Sequence, residues 1–289
     1  MSTGMSRNRR LNAQFGLKWH PFSADVPSEA FVRTPQLDLF LSRVESLLDT
    51  GGFALITGDS GTGKSVTLRL LAEHLASLRD TVVGVLSRPQ SNLGDFYREL
   101  GHLFGVPLAP HNRWAQSKVL RERWASHFDS TFVRPVLLID EAQQVSPLVL
   151  SELRILSSEH FDSRSLLTVV LCGDSRLPDL FRQPDLVPLG SRIRLRLELG
   201  PRSPRELLEL LSQALTKAGS PSLITPDLMN TIAEHSAGNY RVMCNTASQL
   251  LEEAARQNVP LIDDKIYFDL FPTPARAPRQ RNPAPASRS

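Results

Sequence analysis

The sequence predicts an α/β fold in which a parallel sheet is flanked by helices, followed by a small subdomain made of helices alone. Up to about residue 200, short aliphatic runs alternate with stretches whose apolar residues recur at helical spacing. Residues 201–270 show only the helical pattern. A glycine-rich loop also joins the first aliphatic run to a helix, an arrangement typical of α/β folds that bind phosphate.

The glycine-rich loop covers residues 58–65 and matches the pattern GxxxxGK[ST]. In such a loop, backbone N–H groups and a helix N-terminus surround phosphate oxygens. Lys64 would reach the β- and γ-phosphates and the Ser65 hydroxyl would bind Mg²⁺. Contacts to a nucleotide are expected from the loop and the first residues of the helix: Gly58, Asp59, Ser60, Gly61, Thr62, Gly63, Lys64, Ser65 and Val66.

A second aliphatic run, residues 136–139, ends in the adjacent carboxylates Asp140 and Glu141. Uninterrupted aliphatic residues indicate a strand covered on both faces, and functional groups collect at the carboxyl ends of such strands. Asp140 is therefore expected to hold Mg²⁺, and Glu141 to polarise the water that attacks the γ-phosphate. The two motifs together predict nucleotide hydrolysis. The alternative for this pair is a strand end that carries solvated acids.

Three helix starts are predicted beyond residue 200. Ser203 is placed as an N-cap, with Pro204 in the first turn and Glu206 completing a capping box. Residues 225–226 begin a second helix, and residues 238–241 lead into a third. These helices carry apolar faces and predict the small all-helical subdomain.

These motifs resemble those of AAA+ ATPases, in the branch that contains the ExeA-like ATPases and the DNA transposition regulators of the TniB, TnsC and MuB type. The similarity covers roughly residues 15–270 and includes an opening segment with Phe15-Gly16-Leu17 and Pro21-Phe22-Ser23. It implies an AAA+ P-loop NTPase fold, with an ATPase subdomain over residues 15–200 and a helical lid over residues 201–270. It also implies hydrolysis of ATP with Mg²⁺.

The resemblance implies roles for three more residues. Asp174, at the end of a later aliphatic strand, would be the first sensor of the nucleotide. Arg192 would reach the ATP of a neighbouring subunit as an arginine finger, with a structural ion pair as the alternative. Arg194 and Arg196 follow it at a period of two. Arg241 would be the second sensor, on the lid, and an ordinary arginine at a helix start is the alternative.

Composition narrows the class of protein. The chain has 289 residues, 41% of them hydrophobic, and two cysteines, Cys172 and Cys244, which lie inside a predicted strand and a predicted helix. No disulfide framework is indicated, which favours a reducing cytoplasm. No apolar run approaches the ~20 residues that span a bilayer, and the N-terminus lacks the apolar centre of a signal peptide. We therefore expect a cytoplasmic protein without a membrane segment.

The net charge is only +3, but both ends of the chain carry several arginines and no acidic residue. Residues 1–14 are predicted to form a basic disordered arm, and residues 271–289 a disordered tail rich in proline and arginine. Together with Arg88, Arg154 and Arg164, they are candidates for contacts to the backbone of double-stranded DNA, which are independent of sequence. Solubilising tails and solvated surface arginines are the alternatives.

The resemblance further implies assembly into a ring or a helical filament on double-stranded DNA, and regulation of a partner transposase, with a target-selection protein as a further partner. Secretion ATPases of the ExeA type carry a membrane segment and a peptidoglycan-binding portion, for which 289 residues leave no room. This favours the branch that handles DNA. An adaptor that acts on a protein partner in secretion or envelope assembly, and a helicase-loader-like ATPase, are the alternatives.

Overall fold

The computed structural model describes residues 7–86, 92–107, 112–160 and 163–272. The strands in these ranges are β1 (Gly52–Gly58), β2 (Thr81–Leu86), β3 (Arg134–Ile139), β4 (Ser158–Glu159), β5 (Arg164–Ser165), β6 (Thr168–Gly173) and β7 (Ile193–Leu199). Strands β4 and β5 pair as a short antiparallel hairpin. The other strands form one parallel sheet in the order β2-β3-β6-β1-β7. The prediction of a parallel α/β sheet is confirmed.

Helices flank the sheet and form the C-terminal region. They are α1 (Arg7–Phe15), α2 (Pro35–Leu48), α3 (Lys64–Ala76), α4 (Leu93–Leu103), α5 (Arg113–Ser126), α6 (Pro147–Ser157), α7 (Leu177–Leu180), α8 (Val187–Gly190), α9 (Pro204–Ala218), α10 (Pro226–His235), α11 (Tyr240–Gln257) and α12 (Asp264–Leu270). Short 3₁₀ turns occur at Ser28–Ala30 and Ala142–Gln144, and a π-helical turn at His127–Thr131.

The sheet is covered on both faces because its central strand alternates its side chains between two cores. Phe53 and Leu55 of β1 pack into one core with Leu137 of β3. Ala54 and Ile56 pack into the other core on the opposite face. This alternation is the period of two that an extended strand imposes, so every residue of β1 is buried.

The strand order brings the site together. Strand β1 lies between β6 and β7 and runs parallel to both, with Ile56 opposite Cys172 on one side and Leu197 on the other. Strand β3 lies on the far side of β6. The carboxyl ends of β1, β6 and β3 therefore lie at one edge of the sheet, and the loops that follow these strands meet there.

The helical region begins with the capping box that the sequence predicts. The Ser203 hydroxyl accepts the N–H of Glu206, while the Glu206 carboxylate accepts the N–H of Ser203. The side chains of Thr225 and Asn239 cap α10 and α11 by accepting backbone N–H groups of the first turn. A separate apolar core joins α9, α10, α11 and α12 through residues such as Leu211 and Leu250.

The N-terminal segment belongs to this helical core. Leu11 and Phe15 of α1, and then Leu17 and Phe22, are buried in it. The prediction of a disordered arm over residues 1–14 is therefore wrong for residues 7–14, because apolar side chains spaced along one helical face find a partner surface that charge composition does not reveal. The predicted boundary at residue 15 also divides a segment that packs as one unit. Residues 1–6, like residues 273–289 of the predicted tail, lie outside the described residues.

Candidate functional site

The loop between β1 and α3 is closed by its own hydrogen bonds. The Lys64 ammonium donates to the carbonyl oxygens of Gly58 and Asp59 at 2.8 and 2.9 Å. The Thr62 hydroxyl donates to the Asp59 carbonyl at 2.9 Å. Lys64 is buried, so these contacts hold its charge inside the loop at the N-terminus of α3. Such a centre of positive potential suits phosphate oxygens.

A cleft of about 610 Å³ opens beside the loop, within the range of about 300–1,000 Å³ that is usual for small-molecule sites. It is lined by the loop and the start of α3, namely Ser60, Gly61, Gly63, Lys64, Ser65 and Val66. Apolar side chains of the N-terminal segment and α9 also line it: Phe22, Val26, Phe31 and Leu210. A lining that combines a phosphate-binding loop with apolar side chains suits a nucleotide.

Two carboxylates follow β3 at this edge of the sheet. Asp140 accepts the N–H of Glu141 through Oδ1 at 2.9 Å. Glu141 has a φ of 49°, a left-handed backbone conformation that residues with a Cβ rarely adopt. Its half-buried side chain lines the cleft, where Gln143 donates through Nε2 to Oε2 at 2.5 Å. The carboxylate of Glu141 therefore faces the nucleotide space, as a base acting on water requires.

The oxygen donors at this edge fit Mg²⁺. The Ser65 hydroxyl lies on the first turn of α3 and the Asp140 carboxylate follows the end of β3. Mg²⁺ is held in proteins by one or two carboxylates together with the phosphates of the substrate. Cys172 lies behind Asp140, and the pKa of its thiol is raised, first by burial and then by the charge of Asp140. Burial therefore favours the neutral thiol.

The segment after β6 connects the site to the phosphate loop. The Asp174 carboxylate pairs with Arg176, whose Nε donates to Oδ2 at 2.9 Å, and this guanidinium lowers the pKa of Asp174. Both residues line the cleft. The Ser175 hydroxyl donates to Oδ1 of Asp59 at 2.8 Å. Asp174 thus follows the end of β6 and lines the cleft, with its charge balanced by Arg176. Its role as the first sensor stays a prediction.

The lid contacts the phosphate loop directly. Arg241 donates through Nη1 to the Ser60 hydroxyl at 3.0 Å, and its backbone N–H donates to the Gly61 carbonyl at 3.2 Å. Asn239 donates through Nδ2 to the Ser60 carbonyl at 2.9 Å. A Cβ on Gly61 would lie 2.1 Å from Oδ1 of Asn239, so only glycine permits this approach. The lid therefore lies against the loop, and Arg241 lines the cleft.

Arg192 lies apart from this cleft. Its half-buried side chain donates to the carbonyl of Pro188, at the junction between α8 and β7. Arg192 is not among the described residues that line the cleft. Arg194 donates to Thr50 Oγ1 at 2.8 Å and to the Gly51 carbonyl at 3.2 Å. Arg196 is exposed on the same edge strand. The charge of Arg192 is therefore placed outside the nucleotide site of its own chain.

The matches to known proteins agree with this geometry. Residues 47–181 match the family model of an AAA domain. Cdc6p from Pyrobaculum aerophilum has a similar structure, with a TM-score of 0.68 at 18% identity over 84% of this chain and 67% of that one. Drosophila ORC bound to DNA has a TM-score of 0.68 at 17% identity over 94% of this chain and 69% of that one. The chain has the AAA+ P-loop NTPase fold.

The chain also has a curated relative. General secretion pathway protein A from Aeromonas hydrophila is 31% identical over 234 residues, which are 79% of this chain and 42% of that protein. The chain thus spans less than half the length of this relative. The match supports the ExeA-like side of the resemblance, whereas the transposition-regulator side stays a prediction.

The candidate arginines for DNA contact differ in their exposure and in their ion pairs. Arg164 is 27% exposed and pairs with Asp129 and, at 3.5 Å, with Glu159, so local acids already balance its charge. Arg154 is half-buried on α6. Arg88 lies outside the described residues. The structure therefore adds no support for a phosphate contact at Arg164.

Four residues of the site were missed by reasoning from the sequence: Gln143, Ser175, Arg176 and Asn239. Gln143 and Arg176 follow strand ends closely, which is the one signal that could have marked them. The sequence around Asn239 indicates only a helix cap. Its contact to Ser60 joins positions 179 residues apart and depends on the tertiary fold.

Two further predictions concern the location of the protein. Within the described ranges, no helix combines the length and apolar character needed to cross a membrane. Cys172 and Cys244 are both free thiols. The cytoplasmic location stays a prediction.

Proposed function

We propose that this chain is an ATP-dependent switch that oligomerises on double-stranded DNA and regulates target selection or activation of a partner transposase. The contact of the lid with the phosphate loop supports the proposal of an ATP-dependent switch. Arg241 and Asn239 bind Ser60 and Gly61, the loop residues that a nucleotide phosphate would approach. ATP and ADP differ at the γ-phosphate, so they would favour different lid positions.

In the proposed reaction, each residue of the site has a distinct role. Lys64 binds the β- and γ-phosphates. Ser65 and Asp140 would hold Mg²⁺, which would supply positive charge to the phosphates. Glu141 orients the attacking water and accepts its proton. Asp174 and Arg241 are proposed as the two sensors.

The proposed oligomer places Arg192 at the ATP of the next subunit. Two observations support this. Arg192 lies outside the cleft of its own chain, and it lies beside β7, at the edge of the sheet. An arginine from a neighbour stabilises the charge that develops on the transferring phosphoryl group. In a ring, a neighbouring subunit would complete every ATP site. In a helical filament, it would complete every site except the one at the open end.

Binding to DNA would then arise from repetition. A subunit with a net charge of +3 binds a duplex weakly, but subunits lined along one backbone add their contacts and gain avidity. Arg154, Arg88 and the chain ends are the proposed phosphate contacts. The structural likeness to ORC bound to DNA is in keeping with this proposal.

A second candidate function is that of an adaptor whose ATP-driven assembly acts on a protein partner. The observation that favours it is the match to General secretion pathway protein A. This adaptor would use the same ATP site and the same subunit contacts. The two functions differ in whether the assembled protein needs DNA.

Fluorescence anisotropy of a labelled duplex distinguishes the two functions. If the protein assembles on DNA, it should bind the duplex tightly with ATP at low salt. This binding should be similar for unrelated sequences and should weaken steeply as salt rises. Without ATP, binding should be weak. If ATP produces oligomers in light scattering while the duplex remains free at low salt, the adaptor is the better reading.

A further inference from the structure

Gln143 joins two parts of the site that are separate in sequence. Its Nε2 donates to Oε2 of Glu141 at 2.5 Å. Its Oε1 accepts the backbone N–H of Asp174, just beyond β6, at 3.1 Å. One side-chain amide therefore ties the carboxylate after β3 to the segment after β6.

The orientation of this amide follows from its partners. The Glu141 carboxylate can only accept a hydrogen bond and the Asp174 N–H can only donate one. A flipped amide would place two acceptors together at Glu141 and two donors together at Asp174. Nε2 must therefore face Glu141, and Oε1 must face β6.

Packing leaves little room for another arrangement. A Cβ on Gly173 would lie 2.5 Å from Oε1 of Gln143, so the amide is packed against the last residue of β6. The 3₁₀ turn that carries Gln143 is closed by the Gln144 N–H, which donates to the Glu141 carbonyl at 2.8 Å. Ala142 in this turn is fully buried.

Glu141 depends on such support because its backbone lies in the left-handed region, at a φ of 49°. A residue with a Cβ stays in this conformation only where its surroundings hold it. Asp140 holds its N–H and the Gln144 N–H holds its carbonyl, while Gln143 is the described partner of its carboxylate. Without Gln143, the carboxylate would lose the hydrogen bond that fixes its direction.

We propose that Gln143 is a positioning residue, which aims the Glu141 carboxylate and couples its position to the segment after β6. The proposal rests on the role of Glu141 proposed above. The coupling continues to the phosphate loop, because Ser175 in the same segment donates to Asp59 at 2.8 Å. A change at the loop can thus reach Glu141 through Ser175, Asp174 and Gln143.

The first test removes both hydrogen bonds while keeping the size of the side chain. Gln143→Met should lower kcat at least about tenfold, since misplacing a catalytic group is costly, with KM and the dissociation constant of ATP within about twofold of wild type. The control is Gln213→Met on α9. The Gln213 side chain is exposed and is not among the described residues that line the cleft, so kcat should stay at the wild-type value.

A second variant separates aiming from anchoring. Gln143→Glu keeps an acceptor for the Asp174 N–H but replaces the donor to Glu141 with a second carboxylate. If Gln143 aims Glu141, kcat falls at least as far as in Gln143→Met. A wild-type kcat in Gln143→Glu would show that anchoring the segment is its only task, and would overturn the proposal.

A double variant keeps the inference separate from the proposed role of Glu141. If Gln143 acts through Glu141, adding Gln143→Met to Glu141→Gln should lower kcat no further. Independent, multiplying losses contradict the proposal, and so does a raised KM with unchanged kcat. Should Glu141→Gln itself keep the wild-type kcat, the role of Glu141 fails first. Melting temperatures near wild type establish that each variant is folded.

Discussion

The two sides of the nucleotide cleft are built differently. On the sheet side, the phosphate loop follows β1, a strand buried along its whole length, and Lys64 is buried within the loop. On the lid side, the exposed Arg241 and the half-buried Asn239 reach the loop through hydrogen bonds alone. The sheet side is therefore suited to chemistry that needs fixed positions, and the lid side to contacts that change with the nucleotide.

The largest expected effect tests the fixed side. Glu141→Gln should lower kcat by about 100-fold or more, because a general base typically contributes 10²–10⁴-fold. ATP binding should persist, since Lys64 and the loop are intact. Steady-state ATP turnover and the binding of a fluorescent ATP analogue measure the two quantities.

The control for this variant is Glu122→Gln, an exposed carboxylate on α5 whose ion pair with Lys118 measures 3.7 Å. Its turnover should match wild type. Wild-type turnover in Glu141→Gln would remove Glu141 from the catalytic role and leave the sheet side with binding alone.

Lys64→Ala should affect binding on the same side. A hydrogen bond to a charged group contributes about 1.5–3 kcal/mol, so the dissociation constant of ATP should rise roughly 10- to 100-fold. Titration calorimetry measures it directly. Lys118→Ala, on the exposed face of α5, is the matched control. An unchanged dissociation constant for Lys64→Ala would argue against a phosphate contact at this residue.

A smaller effect is expected on the lid side. Arg241→Ala should lower kcat/KM about tenfold, since it removes one charged hydrogen bond to Ser60 and a contact to phosphate. The difference between the affinities for ATP and ADP should also shrink. Arg205→Ala, on the exposed start of α9, should change neither quantity. If Arg241→Ala keeps the full preference for ATP over ADP, the lid does not sense the nucleotide through this arginine.

The smallest expected signal comes from mixing subunits. Arg192→Ala and Glu141→Gln should each be poorly active, and their mixture should regain activity severalfold, because some interfaces combine an intact Glu141 with an intact Arg192. The same mixture made with Arg194→Ala tests the neighbouring arginine, which binds Thr50 and Gly51 of its own chain. Recovery above the separate variants supports a shared site. No recovery in assembled Arg192→Ala mixtures contradicts it.

Reasoning from the sequence succeeded where neighbours along the chain decide the outcome. Residues 58–65 close a loop on their own carbonyls, and Asp140 and Glu141 follow a strand whose aliphatic residues require burial on both faces. Ser203 and Glu206 form their capping box within four residues. Each of these features depends on short covalent spacing and on strand or helix geometry, so the sequence by itself determined them.

The tertiary structure alone decided the rest. Leu11 looks like part of a basic arm until the helical core offers it an apolar surface. Gln143 and Asn239 gain their partners from segments 31 and 179 residues away. Hydrogen bonds and burial between distant segments depend on which surfaces the whole fold brings together. Short-range residue patterns do not predict these contacts because they describe only neighbours along the chain.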